Sequence, residues 1–314
     1  MRIGFFYDWD LTLTEEFQQF PIFRAFMDNL VQKYGIKKPE EYLKLSQGTE
    51  LGVGYMEQMI LDSKEVFCGL TNNQMEKEFA KQVQLAEGLP RWFPRMNDFV
   101  SKKDCRLEHH VISAGLFPLI RGSLISSYFD SITAGEFLEN SDGLWRIKSI
   151  IDPFRKIEVF KRICKGKNDH DDIPLADYYI KHCNSFVFGD GQSDIDLFRY
   201  LRQRGGIVVA VFELGNRTDF ERIKDLMKVD CPEKSFANVV VPRDYSEDSV
   251  LSKVIQEKVC EVVDSEKECN VSFELIRNWK LGHIENSELC SFVENHFNSC
   301  TSCKNRYFPT VYFS

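Results

Sequence analysis

The chain opens on a short apolar run, IGFFY over residues 3–7, that stops at the acid Asp8. A run this short, aromatic and bounded by a polar residue predicts a buried strand over 3–8. The period then changes. In EEFQQFPIFRAFMDNLVQKYG, the residues Phe23, Phe26, Met27, Leu30, Val31 and Tyr34 fall three and four apart, which is one face of a helix that Gly35 can stop. Further short helices are expected in PEEYLKLSQG, ELGVGYMEQMILDSKEVF and NNQMEKEFAKQVQLAEG, after which LPRWFPRMNDFVSKKD leads back towards the core. Residues 15–104 are therefore an expected helical insertion, with the Phe-rich face over 17–31 as its own core.

Strands and helices then alternate. LEHHVIS (107–113) reads as a strand ending in Ser113, AGLFPLIRGSLISS as the start of a helix, and FDSITAG as a strand. NSDG between two apolar arms in EFLENSDGLWRIKSI predicts a hairpin flap. FRKIEVFKRICKG predicts a helix ending at Gly166, SFVFGD (185–190) a buried strand, and SDIDLFRYLRQRGG a helix. IVVAVFE and ANVVVPR (237–243) complete the strands. Such alternation predicts an α/β fold with a doubly wound parallel sheet. From residue 246 the chain is helical and mixed in charge. The expected division is a core of 1–14 and 105–245, an insertion over 15–104, and a helical C-terminal extension over 246–314.

Composition narrows the function classes. The chain has 314 residues, 43% hydrophobic and 28% charged, which suits a globular protein of more than one unit. A net charge of −8 argues against nucleic acid as the main partner. MRIGFFYDWD lacks the features of a signal peptide, and no stretch approaches the ~18 apolar residues of a membrane span. The expectation is a cytoplasmic protein without a transmembrane segment, its ten cysteines mostly reduced. Cys300 and Cys303, with Cys290 and His296, have weak spacing for a zinc site. The extension carries seven Lys and Arg against eleven Asp and Glu. That balance does not suggest a polybasic lipid anchor, but leaves it open to contact with a partner or a membrane surface.

The candidate chemistry lies at strand ends: Asp8 and Asp10, then Ser113, then GDGQSD from Gly189 to Asp194. In an open α/β sheet ligands bind beyond the carboxyl ends of strands, so these groups are expected to converge. Taken singly, the acids suit a turn and Ser113 a helix cap. Lys156 opens a helix; Lys148 and Lys161 are its neighbours, and a Lys on a helix surface is ordinarily just solvated. His109 and His110 have no ligand spacing and read as structural.

The series DWDLT, VISAG, FRKIEVFKRI and GDGQSD resembles the haloacid dehalogenase-like (HAD) superfamily, and within it the phosphatases similar to phosphoserine phosphatase. The resemblance covers residues 1–243 and implies a Rossmann-like HAD-type core with a helical cap. It makes Asp8 the nucleophile that forms an aspartyl-phosphate, and Asp10 the group that protonates the leaving oxygen and then deprotonates water. Ser113, Ala114 and Lys156 bind the phosphate, and Thr12 holds the loop. Mg2+ is held by the Asp8 carboxylate, the Asp10 backbone carbonyl and Asp190, with Asp194 orienting ligands or Lys156. Trp9, where Phe or Leu is commoner, is expected to be packing. Haloalkanoate-cleaving members lack the second acid, so Asp10 points to hydrolysis of phosphate esters.

The implied activity is a magnesium-dependent phosphomonoesterase. Its substrate would be set by the cap and is expected to be a small phosphorylated metabolite. A protein phosphatase acting on phosphotyrosine or phosphoserine, with 246–314 as a targeting module, is one alternative. A phosphotransferase or mutase, in which another hydroxyl replaces water, is a second. A binding or targeting protein built on this fold is a third, and the full catalytic set argues against it. The short interval between Ser113 and Lys156 leaves room for a flap and no second large cap.

Overall fold

The computed structural model describes residues 1–45, 54–166, 177–191, 193–227, 235–268, 279 and 287–299. Its central strand is β1 (Arg2–Tyr7), buried on both faces from Ile3 onward. Alternate side chains of a strand point to opposite faces. Phe5 and Tyr7 accordingly enter one hydrophobic cluster and Phe6 the other. The remaining strands are β2 (Arg106–Leu116), β3 (Ser131–Asn140), β4 (Gly143–Ser149), β5 (Ser185–Gly189), β6 (Ile207–Phe212) and β7 (Val239–Pro242). They form one sheet in the order β4-β3-β2-β1-β5-β6-β7, parallel except for the β3–β4 hairpin. The winding reverses direction at β1, and the crevice beyond its carboxyl end is where such sheets take ligands.

The helices in chain order are α1 (Phe20–Ala25), α2 (Met27–Tyr34), α3 (Pro39–Leu45), α4 (Gly54–Leu61) and α5 (Asn72–Gln74), which runs on into a π-helical turn over Met75–Phe79. They are followed by α6 (Trp92–Ser101), α7 (Phe117–Arg121), α8 (Pro153–Lys165), α9 (Ile195–Arg202), α10 (Arg217–Leu226), α11 (Val250–Glu268) and α12 (Ser287–Ser299). No described helix is long and apolar enough to cross a membrane. α1 to α4 and the π-helical turn pack around Phe20, Phe23, Leu30, Tyr42, Met59 and Phe67, a core separate from the two sheet clusters. At its edge Asp62 is buried but fully partnered, accepting from Tyr34 Oη, Tyr42 Oη and Gln58 Nε2 and pairing with Lys33 at 2.9 Å. Burial alone would raise the Asp62 pKa, but these donors reverse the shift and lower it.

Two boundaries differ from the sequence reading. The strands entering and leaving the helical unit cross as a bridge between Thr14 and Leu85, so the unit closes there rather than at 104. α6 belongs to the sheet, because Trp92, Phe93, Met96 and Val100 pack with Phe5, Tyr7 and Val111. α11 does the same through Leu251, Val254, Ile255, Val259, Val262 and Val263. The sequence reading takes the α6 segment only as a path back to the core and α11 as part of a separate helical extension, with no sheet surface assigned to either. β2 also continues past Ser113 to Leu116, paired with β3 after an irregularity that follows Ile112. The flap is present, and its strands pack on the helical unit through Phe137 and Leu144. Asn72 Nδ2 donates to Phe137 O at 2.9 Å, tying the two together.

Because α11 covers one face of the sheet, Ile255→Ala is expected to cost about 2–5 kcal/mol, the range for large-to-small changes at buried sites. Urea denaturation of both proteins checks this, and a loss near zero would place α11 outside the cooperative core.

Candidate active site

β1 delivers Asp8 to the carboxyl edge of the sheet, where its N–H donates to Phe188 O at 2.9 Å. The chain then turns sharply. Leu11 takes φ +56°, a left-handed conformation that a branched side chain disfavours. Thr14 Oγ1 holds the turn, accepting from Leu11 N at 3.1 Å and donating to Glu16 O at 2.7 Å. The sequence assigned this task to Thr12. Its backbone N–H does close the turn onto Trp9 O at 3.2 Å, but its hydroxyl is buried without a hydrogen-bond partner. Trp9 is fully buried in the sheet cluster, in line with a packing role.

Lys156 comes from the first turns of α8. Asp152 caps that helix by accepting from Arg155 N, and Pro153 suits its first turn. The Lys156 side chain is 0% exposed. Its ammonium lies 2.7 Å from Asp194 Oδ1, 3.1 Å from Asp8 Oδ2 and 3.0 Å from Ser193 Oγ. Ser193 Oγ in turn donates to Asp8 Oδ2 at 3.3 Å. The rival lysines lie elsewhere: Lys148 pairs with Glu136 and Lys161 with Glu158. Asp194 stands at the N-cap position of α9 but makes no side-chain cap bond, its carboxylate being turned to Lys156. Gly189 makes that approach possible, since a Cβ there would sit 2.3 Å from Asp194 Oδ2. Asp190 lies beside them, with Arg222 Nη2 at 3.4 Å.

Asp10 is held by the chain that leads into the helical unit. Its Oδ1 accepts from Gln18 N at 2.7 Å and its Oδ2 from Gln18 Nε2 at 3.1 Å. Gly115, two residues beyond Ser113, lies flush against this pair. A Cβ on Gly115 would meet Gln18 Nε2 at 1.5 Å and Asp10 Oδ2 at 3.1 Å, so a larger residue there would push the Gln18 amide off Asp10. Ser113 Oγ accepts from Gly115 N at 3.0 Å. Tyr55 reaches down from α4 to donate to Ala114 O at 3.2 Å, bringing the helical unit onto this loop.

Burial governs the titration of the acids. It raises Asp10 to about 7 against the lowering effect of the two Gln18 donors, and raises Asp190 to about 6 with help from Asp8. Asp194 is raised by burial and by the Asp8 charge. Lys156 shows the opposite balance: burial would lower it, but Asp194 and Asp8 more than reverse this and keep it protonated. One ligand oxygen from each of Asp8, Asp190 and Asp194 lies within 4.8 Å of the others. Among the described residues, Asp8 Oδ1 and Asp194 Oδ2 are buried with no hydrogen-bond partner. Hard oxygen donors with unused lone pairs fit a small divalent cation.

Asp8, Lys156, Asp190 and Asp194 thus form one cluster, with Asp10 and the Ser113–Gly115 turn joined through Gln18. Sequence reasoning missed Gln18, Ser193, Thr14, Tyr55 and Arg222. Ser193 lay inside a quoted motif, but the others carry no local pattern. His109 is structural, accepting or donating at Tyr7 Oη and Asn97 Oδ1, and burial lowers it to about 3. Cys300 and Cys303 lie outside the described residues.

No family model matches the sequence, and no curated protein matches it. Among solved structures, a phospho-aspartyl intermediate analogue of phosphoserine phosphatase is similar at 14% identity and TM-score 0.52, over 82% of this chain and 98% of that one. A substrate-bound phosphoserine phosphatase gives 15% and 0.48, over 67% and 86%. Cytosolic 5'-nucleotidase IIIB bound to cytidine gives 13% and 0.44, over 85% and 87%. The first of these likenesses carries the fold: the core has the HAD-like α/β architecture that the four motifs imply.

The raised carboxyls set a pH dependence. A carboxyl raised by folding stabilises the protein fully below its unfolded value, and that contribution is lost as pH rises through its folded value. For Asp10 and Asp190 the loss falls between about pH 4 and about pH 7. A cation displaces those protons, so millimolar MgCl2 is expected to raise the Tm more at about pH 7.5 than at about pH 5. Calorimetry with and without the salt checks this, and Asp190→Asn should lose the gain.

Proposed function

We propose that this chain is a magnesium-dependent phosphomonoesterase working through an aspartyl-phosphate on Asp8. The observation that carries the reading is the asymmetry of the Asp8 carboxylate. Oδ2 is held by Lys156 at 3.1 Å and Ser193 at 3.3 Å, whereas Oδ1 is buried with no hydrogen-bond partner among the described residues. That is what a carboxylate nucleophile needs, since one oxygen is anchored and the other is free to attack phosphorus.

In this reading the Ser113 hydroxyl and backbone donors near Ala114 bind the phosphoryl oxygens, while the Lys156 ammonium, its three N–H donors directed at Asp194, Asp8 and Ser193 rather than at the phosphate as the resemblance implies, offsets the developing charge from beside Asp8. Asp8 Oδ1 forms the bond to phosphorus as the ester oxygen leaves. Asp10 gives that oxygen its proton, then takes one from the water that cleaves the acyl phosphate. A carboxyl raised to about 7 suits both duties near neutral pH. Mg2+, held by Asp8, Asp190 and the Asp10 carbonyl, would supply positive charge against the phosphoryl group. Asp194 holds Lys156 in place.

A small phosphorylated metabolite is the favoured substrate. Asp8, Ser113 and Lys156 are all buried, and Tyr55 brings the helical unit down onto the Ala114 carbonyl, so the site is roofed. A roof of this kind excludes water and leaves little room for a folded protein chain. Leu251, Val254, Ile255, Val259, Val262 and Val263 of α11 pack in the sheet core, which weighs against α11 as a free targeting module.

Hydrolysis of p-nitrophenyl phosphate with and without MgCl2 tests the reading. Asp8→Asn should abolish turnover. Asp10→Asn should lower kcat about 10²–10⁴-fold, more for alkyl phosphates than for the nitrophenyl ester, because a poor leaving group needs the proton most. Turnover that survives Asp8→Asn or persists in chelator would overturn it.

A further inference from the structure

The loop that carries both acids is strained, and something must hold it. Leu11 sits at φ +56° between Asp10 and Thr12. Its carbonyl accepts from Arg243 Nη1 at 2.7 Å, while Arg243 Nη2 pairs with Glu15 at 3.0 Å. The Thr12 carbonyl accepts from Tyr245 Oη at 3.0 Å. Arg243 is 5% exposed and follows directly on β7. Its own backbone is fixed, since Arg243 N donates to Phe212 O at 2.7 Å. Tyr245 N donates to Glu87 O at 2.8 Å, on the strand that returns from the helical unit. Arg95 in α6 secures the same segment, donating to Tyr245 O at 2.7 Å and Ser252 Oγ at 2.9 Å.

We propose that Arg243 is a positioning residue whose guanidinium clamps Leu11 and Glu15, keeping the Asp8–Asp10 loop in its reactive shape. It touches neither acid. A fork of two donors fixes both the position and the angle of the loop, which a single ammonium cannot do. Without it Leu11 relaxes from the left-handed region, and the two carboxylates lose their relative placement. A misplacement of about 1 Å costs roughly 10²-fold in rate. The catalytic part of this inference rests on Asp8 and Asp10 being the reacting groups.

The test compares wild type, Arg243→Met, Arg243→Lys and the double variant Leu11→Gly/Arg243→Met. The readouts are kcat and KM on p-nitrophenyl phosphate with MgCl2, Tm, and amide hydrogen exchange. Arg243→Met is expected to lower kcat about 10²-fold with KM within about threefold, and to speed exchange over residues 8–16 but not in β5 and β6. Arg243→Lys, which keeps the charge and the fold, should lose about tenfold. Leu11→Gly should recover several-fold in the Met background, because glycine holds the left-handed conformation without a brace. Wild-type kcat in both single variants, unchanged exchange over 8–16, or a loss that merely tracks Tm without glycine recovery would each overturn the proposal. An inactive wild type would instead bring down the phosphatase reading, and the exchange data alone would then decide whether the clamp exists.

Discussion

One buried cation organises this site. Lys156 is wholly removed from water, and its desolvation would be prohibitive without Asp8 and Asp194 on either side. The acids depend on it in turn, because two carboxylates that close together in low dielectric cannot both stay ionised without a compensating charge. Three separate chain segments must therefore arrive together: the end of β1, the start of α8 and the turn before α9. The sheet order makes this possible by placing β5 beside β1, so that Asp190 and Asp194 emerge next to Asp8.

Around that centre the protein uses polar ties rather than apolar packing to set the last ångström. Gln18 grips both oxygens of Asp10, Thr14 closes the turn, and the segment after β7 bonds two successive carbonyls of the loop. Arg243 and Tyr245 are themselves anchored by backbone bonds to Phe212 O and Glu87 O, while Gln18 comes from the helical side. The two hydrophobic clusters on the faces of the sheet supply the rigid frame, while the helical unit has a core of its own and meets the site through Tyr55 and Gln18. Stability and site geometry are thereby divided between different kinds of interaction.

Much of this was legible in the sequence, for reasons of chemistry. Apolar runs that stop at a polar residue marked the strands ending beside Asp8 and Asp190, and the glycines around Asp190 marked a tight turn, but β2 runs on past Ser113, and the roles of these residues came from the resemblance of the four motifs. Lys156 was separable from Lys148 and Lys161 by its place at the start of α8. What stayed hidden has a common cause. Gln18, Tyr55 and Arg243 act across long sequence separations, and a Gln, Tyr or Arg in a loop or on a helix leaves no periodic trace. The α6 segment reads only as a path back to the core and α11 only as helical, because nothing local names the surface a helix will meet. Thr12 and Thr14 lie so close that nothing in the sequence tells which of the two buried hydroxyls bonds the turn.

The bridge between Thr14 and Leu85 has an architectural consequence. Bridged residues on neighbouring strands have Cα atoms only about 5 Å apart, so the inserted helices enter and leave through a single narrow doorway. Such a gap can be spanned by a tight turn of a few residues. Only the covalent path is so simple: Gln18 and Tyr55 would leave with the helices, and Leu116, Leu119, Phe137 and Leu144 would lose their cover, so any lid spliced in at this junction must bring its own grip for Asp10 and its own apolar underside.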